Sequence, residues 1–538
     1  MQHRGPDGAG MAIGRQVRTA WTLEEVQTDG LRGTTGLGHT RLAIVGGRHG
    51  LQPFQSRDGR LLLLHNGEIY NHHELRRSLP EKVNFETKTD SEVILRLLEH
   101  EYQGELLAAL RRVLPQLDGV YALAVSDGEQ LIIARDPIGV RQLYVGKNGK
   151  TFAFASEKKA LQAAGIQEPI ERLEPGHLAW VRNGSWEQEN FARMDLRRIP
   201  ADVTDEEEAL ELYENTLHQA LYKRIRDRDR VGVIFSGGID SVLVAYRLKQ
   251  FGLPFTCYSA GFRGSPDLDF ARRMAAQFDF PLQSRDLSLD DIEDLLPVIM
   301  ETIEDRSLNQ VEVSVPVFAS VRLASEADER VLFTGQGADE LFGGYSWYPR
   351  IVDREGYDSF VEYEISDIEH LYKETLERED KITMAHSIEL RVPYLDLKLV
   401  RAALRVDPRL KIQPGGDPLG KRVHRQLAVR LGIPPDFAWR PKQAAQHGAG
   451  IHEAIQELAA RAHYTQEDVR ETGYQAQESI PEVLGSSSRY GYRYGEDELW
   501  NTEDHVQCYL DSLAWKADLL TQSEQEYLVP KLESLATI

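Results

Sequence analysis

Through the first 200 positions the apolar residues fall in short runs bounded by turn formers, a pattern that predicts strands. The runs cover 36–47, 60–70, 121–135, 142–156 and 177–182. Asp58-Gly59, Asp127-Gly128, Asn148-Gly149 and Asn183-Gly184 supply turn signals. Leucines at helical spacing over 90–102 and 105–117 predict two helices among them. Antiparallel strands with a few covering helices predict a layered α+β domain.

The texture changes after Arg198-Ile199-Pro200. The acidic start Thr204-Asp205-Glu206-Glu207-Glu208 opens an amphipathic helix running to about residue 225, with negative charge where the helix dipole favours it. A domain boundary is expected near 200. Three continuous apolar runs follow, at 231–235, 255–260 and 331–333, each ending in small residues or glycine. Such strands, separated by helices, predict a parallel sheet buried on both faces, with ligands beyond its carboxyl ends. From about 350 onward the pattern is mostly helical. The stretch Ser486-Ser487-Ser488-Arg489-Tyr490-Gly491-Tyr492 reads as a loop before a last helix near 504–519.

Composition narrows the function classes. A chain of 538 residues exceeds one ordinary core. Mean hydropathy is −0.43, and no run approaches the roughly 20 apolar residues of a membrane helix, so no membrane span is expected. The start Met1-Gln2-His3-Arg4-Gly5-Pro6 lacks the layout of a secretory leader, and the expected compartment is cytoplasmic. The two cysteines, Cys257 and Cys508, make neither a disulfide framework nor a metal-ligand spacing. A net charge of −22 argues against nucleic acid and anionic lipid as partners.

The chemistry concentrates after the strand at 231–235. Ser236-Gly237-Gly238-Ile239-Asp240-Ser241 joins that strand to a helix over 242–250. Glycines let the backbone approach an anion, N–H groups and serine hydroxyls donate to it, and the helix N-terminus adds partial positive charge. Asp240 would repel bare phosphate, which implies a bridging cation such as Mg²⁺.

This segment resembles the pyrophosphate loop of the PP-loop ATP pyrophosphatases. Gly335-Gln336-Gly337-Ala338-Asp339-Glu340-Leu341-Phe342-Gly343-Gly344-Tyr345 narrows the resemblance to the glutamine-dependent asparagine synthetases. So do Gly264-Ser265-Pro266-Asp267-Leu268, Arg391-Val392-Pro393-Tyr394-Leu395-Asp396, Gly420-Lys421 and Trp439-Arg440-Pro441-Lys442. The resemblance implies that Ser236, Gly237, Gly238, Asp240 and Ser241 hold pyrophosphate, and that Ile234, Ala260, Thr334 and Gly335 contact adenosine. It implies Asp240 and Asp339 as Mg²⁺ ligands and Lys442 as the cation stabilising the departing phosphate. Where many relatives carry a glutamate taken to help ammonia attack, this chain has Gln336, which cannot carry a proton away.

In the first domain, His3-Arg4-Gly5-Pro6-Asp7-Gly8, Arg41-Leu42-Ala43-Ile44-Val45, Asn66-Gly67-Glu68-Ile69-Tyr70, Thr89-Asp90 and Arg135-Asp136-Pro137-Ile138-Gly139 resemble the class II glutamine amidotransferases. That resemblance implies glutamine held by Arg41, Asn66, Gly67, Glu68 and Asp90. Arg41 would pair with the α-carboxylate, and Glu68 and Asp90 with the α-ammonium. The plainer alternatives are a hairpin turn at Asn66-Gly67 and a helix N-cap at Asp90-Ser91.

The implied fold is an α+β N-terminal-nucleophile αββα sandwich over 1–200, an α/β parallel-sheet adenine-nucleotide alpha hydrolase-like domain over 201–460, and a helical C-terminal extension over 461–538. The amidotransferases use an N-terminal cysteine whose motif precedes His3-Arg4-Gly5-Pro6. The first domain is therefore expected to lack its opening strand and nucleophile, through a start placed too far downstream, a truncation, or loss of glutaminase chemistry. The expected reaction is ATP-dependent conversion of aspartate to asparagine through β-aspartyl-AMP, with nitrogen from glutamine in the intact family and from ammonia in the chain as written. Homodimers are usual among such enzymes. Two alternatives stay open: an amidotransferase or cyclase adenylating another carboxylate, and a non-catalytic sensor of glutamine and ATP.

Overall fold

The computed structural model describes residues 1–47, 49–167, 169–182, 185–192, 195–415, 419–440, 448–475 and 503–535. The chain divides into two compact units. One comprises Met1–Val231, Glu329–Gly343 and Tyr357–Lys411, and the other Gly232–Asp328, Gly344–Gly356 and Ile412–Ile538.

In the first unit the strands are β1 (Ala9–Ile13), β2 (Gln16–Ala20), β3 (Gly36–Thr40), β4 (Phe54–Gln55), β5 (Leu62–Ile69), β6 (Gly119–Ser126), β7 (Leu131–Arg135), β8 (Tyr144–Asn148), β9 (Thr151–Ala155), β10 (Glu171–Arg172), β11 (His177–Arg182) and β12 (Ser185–Asn190). A six-stranded sheet runs β12-β11-β7-β6-β5-β4, beside sheets β2-β1-β3 and β10-β8-β9. The helices here include α1 (His72–Ser78), α2 (Asp90–Glu101), α3 (Leu106–Val113) and α4 (Lys158–Ala163).

Period-two alternation sorts the strand residues between two cores. Leu63, Leu123, Val125, Ile132 and Ala134 pack under α2 and α3, against Val93, Ile94, Leu98, Leu106 and Leu110. Their neighbours Leu62, Leu64, Ala122, Ala124 and Ile133 face Ala12, Leu37 and Val145 of the other sheets and Leu143 just before β8. Leu161 of α4 closes a further cluster with Tyr144, Ile166 and Ile170. The layers follow the predicted αββα order. The Asn183-Gly184 turn signal lies outside the described residues.

Two local readings are corrected. Asn66-Gly67 is not a hairpin turn: both residues lie inside β5, opposite Ala122 and Tyr121 of β6. Gly67 is required there because its φ is +143° and a Cβ would fall 2.0 Å from the Val120 carbonyl oxygen. Nor does Asp90 cap α2. Thr89 does, its side chain accepting from the Glu92 N–H, and Asp90 begins the helix.

The predicted acidic helix is α5 (Glu206–Ile225), capped by Asp205, and it too belongs to the first unit. So do β16 (Val331–Phe333) and β17 (Glu389–Arg391), which pair in parallel. The second unit carries β13 (Val231–Ile234, from Gly232), β14 (Phe255–Phe262) and β15 (Leu282–Leu287) in the order β15-β14-β13, with β14 and β15 parallel. Helices α6 (Ile239–Phe251) and α7 (Pro266–Phe278) connect them. Beyond residue 412 the described part is helical, ending in Asp504–Lys516 and Gln522–Leu535. The 486–492 stretch lies outside the described residues. Among the described residues no helix is long and apolar enough to cross a membrane.

Candidate functional site

The second unit holds the strand, loop and helix of the pyrophosphate motif. β13 ends at Ile234, and α6 begins at Ile239 with Gly238 as an N-cap that places no side chain over the first-turn N–H groups. Those donors point outward from the start of a 13-residue helix, as an anion requires. The Gly238 N–H donates to Ser236 Oγ at 3.2 Å, and Ser241 Oγ donates to the Gly238 carbonyl at 3.1 Å, so both hydroxyls are held at the loop. Gly237 has φ +72°, and a Cβ would meet Ala271 Cα of α7 at 2.7 Å. Glycine is therefore needed for both conformation and space. Ala260 lies buried in β14.

Asp240, in the first turn of α6, is already paired. Lys421 Nζ donates to its Oδ1 at 2.7 Å, and His424 Nε2 stands 3.1 Å from the same atom. Both partners are buried, and burial lowers the His424 pKa, which favours the neutral ring. Lys421 thus relieves much of the repulsion a carboxylate would exert inside an anion nest, so repulsion alone does not require a metal here. The Asp240 carboxylate still offers the hard oxygen donors that Mg²⁺ takes. Neither Lys421 nor His424 was expected to reach Asp240, although Lys421 belongs to the Gly420-Lys421 resemblance.

In the first unit, β16 runs into Thr334-Gly335-Gln336-Gly337 and the short helix Ala338–Phe342, with Asp339 in its first turn. The Thr334 N–H donates to the Arg391 carbonyl at 3.1 Å, fixing the turn to β17. The Gln336 amide donates to Glu379, a residue no motif had marked. Lys442 lies outside the described residues.

The same unit contains a cavity of about 570 Å³, and all five predicted glutamine contacts, Arg41, Asn66, Gly67, Glu68 and Asp90, line it. Arg41 gives Nη2 to the carbonyls of Gly47 and His49 at 2.6 and 2.8 Å, while its buried Nη1 meets no acceptor among the described residues. Asp90 accepts from the Ile69 N–H at 2.9 Å. His65 and His39 also line the cavity, and burial drops them to about 3 and about 4, leaving both neutral at pH 7.

Glu68 faces a buried ionic cluster. It pairs with Arg391, whose Nε donates to Glu389 at 2.8 Å. Glu389 pairs with Arg141 at 3.2 Å, Arg141 with Asp380 at 2.8 Å, Asp380 with Arg4 at 2.8 Å, and Arg4 with Glu157 at 3.0 Å. Burial raises Glu68 well above the ordinary carboxylate range, with Arg391 opposing and Glu389 adding to the rise. Glu389, held by Arg391 and Arg141, drops to about 2.

Comparison with known proteins agrees with both halves. A family model described as glutamine amidotransferase domain matches residues 1–174, and one described as asparagine synthase matches 212–359 and 352–517. A Methanocaldococcus jannaschii protein assigned as a glutamine-hydrolysing asparagine synthetase is 32% identical over 519 residues, covering 88% of this chain and 93% of that protein. The chain belongs to the asparagine synthetase family. A similarly assigned protein of Schizosaccharomyces pombe is 30% identical, with 84% of this chain and 80% of that protein covered. Asparagine synthetase 1 of Arabidopsis thaliana is 29% identical, with 84% and 74% covered. This asparagine synthetase family chain is accordingly a ligase, which removes the non-catalytic sensor from the alternatives.

Proposed function

We propose that this ligase converts aspartate to asparagine at the expense of ATP, through β-aspartyl-AMP. The observation that carries the reading is the loop between β13 and α6, with Ser236 and Ser241 fixed at an uncapped helix N-terminus and Gly237 admitting no side chain.

In the first step an oxygen of the aspartate β-carboxylate bonds to the α-phosphorus of ATP, and the bond to the pyrophosphate oxygen breaks. Ser236, Gly237, Gly238 and Ser241 donate to the leaving pyrophosphate, where negative charge grows. Ile234, Ala260, Thr334 and Gly335 take the adenosine part. Lys442 adds positive charge to the departing group. Mg²⁺, when bound by Asp240 and Asp339, supplies further neutralisation of the phosphates. In the second step ammonia displaces AMP from the acyl carbon.

We assign residues 1–200 to binding glutamine. Arg41 Nη1 is a buried cationic donor suited to the α-carboxylate, and Asp90, with Glu68, is suited to the α-ammonium. The domain spans 1–200, 201–460 and 461–538 are kept as part of this reading.

The test is pyrophosphate release by the purified protein with aspartate alone, with aspartate and ammonium, and with aspartate and glutamine. Aspartate-dependent release, with asparagine formed when ammonium is present, is the expected result. Release that ignores aspartate but responds to another carboxylate would replace this reading with that of a different amide-forming synthetase.

A further inference from the structure

The amide-forming step leaves a chemical demand that the quoted motifs do not meet. When neutral ammonia bonds to the acyl carbon, the nitrogen becomes a positively charged –NH3⁺ group in a tetrahedral adduct. It must lose a proton before the carbon–oxygen bond to AMP breaks and AMP leaves with that electron pair. Gln336 offers only an amide, which donates and accepts hydrogen bonds and takes up no proton near neutral pH.

The helix Glu377–Ala385 presents three carboxylates to its surroundings. Two are committed to cations. Glu377 pairs with Arg172 at 2.5 Å and Lys381 at 2.8 Å, and Asp380 pairs with Arg4 and Arg141, each at 2.8 Å. The third, Glu379, is 1% exposed and accepts from the Gln336 amide through Oε1. Its Oε2 is buried and meets no hydrogen-bond donor among the described residues. We propose that Glu379 is the proton acceptor of the amide-forming step, held in place by Gln336 of the Thr334-Gly335-Gln336-Gly337 turn.

Three features fit that role. A carboxylate with one oxygen anchored and the other unengaged can accept a proton without breaking its anchor. Burial lifts Glu379 to about 7, against the pull of Arg378 and of the Gln336 and Thr334 side chains, which matches a base working near neutrality. The two side chains that hydrogen-bond it, Gln336 and Thr334, come from the turn assigned to the adenylate. The acceptor is then 43 positions from Gln336 in the chain, which is why no motif shows it.

The inference rests on the proposed adenylation of aspartate, and the experiment separates the two. Pyrophosphate and asparagine are measured in parallel, with aspartate, ATP, Mg²⁺ and ammonium, for the wild type, Glu379→Gln, and Glu379→Gln combined with Gln336→Glu. Glu379→Gln should keep aspartate-dependent pyrophosphate release while asparagine formation falls by roughly 100-fold or more. The double substitution, which returns a carboxylate to the turn, should recover at least about 10-fold of that loss. Asparagine yield per pyrophosphate equal to wild type in Glu379→Gln would overturn the assignment. Equal loss of both products would also overturn it, marking Glu379 as part of the scaffold or the adenylation step. Absence of aspartate-dependent pyrophosphate release from the wild type would instead sink the underlying reading.

Discussion

Arg391 of β17 pairs with Glu68 of β5, 323 positions away in the chain, and both side chains are almost wholly buried. The pair ties the Arg391-Val392-Pro393-Tyr394-Leu395-Asp396 segment to the wall of the cavity lined by the glutamine candidates. Arg4, Arg141 and Arg391 face four carboxylates in this cluster, Glu68, Glu157, Asp380 and Glu389, and Lys159 reaches Glu157 at 3.4 Å. Buried charge is costly unless it is paired, so the cluster specifies how these segments meet more than it adds stability.

Removing one partner should therefore be severe. Arg391→Met leaves Glu389 and Glu68 short of a cation, and unfolding in urea should show a loss of about 3–5 kcal/mol. Arg391→Lys should recover only part of it, because a compact ammonium lacks the planar fork whose Nε, Nη1 and Nη2 reach Glu389, the Arg224 carbonyl and Glu68. A loss below about 1 kcal/mol in Arg391→Met would contradict the cluster.

The cluster also sets a pH dependence. Glu68 has its pKa raised from the ordinary 4.5, so the folded protein keeps a proton that the unfolded chain gives up. That contribution to stability is complete below about pH 4.5 and is lost as pH rises toward the folded pKa. Glu389, lowered to about 2, contributes above about pH 4.5 and loses its contribution as pH falls toward 2. Glu68→Gln removes the first limb. Its melting temperature should change less than that of the wild type between about pH 5 and pH 8. Parallel curves would count against a proton on Glu68.

The most legible parts of the sequence were those where local pattern and tertiary demand coincide. β16 spans Val331–Phe333 as read, and β13 and α6 fall within a few residues of their expected limits, because an apolar run ending in glycine states both burial and a turn. β17 was not predicted: its three residues include the charged Glu389 and Arg391, which are buried because they satisfy each other and their neighbours. Asn66-Gly67 misled for the opposite reason. Its glycine answers the close approach of Val120 across the sheet, which no local pattern records. The glutamine candidates did converge on one cavity, while Lys421, His424 and Glu379 needed the fold to bring distant segments together.

Gly237→Ala tests the pyrophosphate loop. A left-handed alanine costs about 1–3 kcal/mol and its methyl carbon strikes α7. Aspartate-dependent pyrophosphate release should fall by roughly 100-fold or more, as when a preorganised donor to developing charge is lost. Gly264→Ala, at another left-handed glycine but with nothing within 4 Å of the added carbon, should cost far less activity.

Arg41→Met tests the glutamine cavity. Loss of one charged hydrogen-bond donor to a carboxylate is worth about 1.5–3 kcal/mol, so calorimetric affinity for glutamine should weaken roughly 10- to 150-fold. Unchanged affinity would move glutamine, if it binds, away from Arg41.

The most direct measurement of the central claim follows the aspartate oxygen. Aspartate carrying oxygen-18 in its β-carboxylate is turned over with ATP, Mg²⁺ and ammonium, and the phosphate-containing products are examined by mass spectrometry. Attack of the carboxylate on the α-phosphorus predicts one labelled oxygen in AMP and none in pyrophosphate. Label in inorganic phosphate, with ADP as the nucleotide product, would show an acyl phosphate instead and contradict adenylation at the Ser236–Ser241 loop.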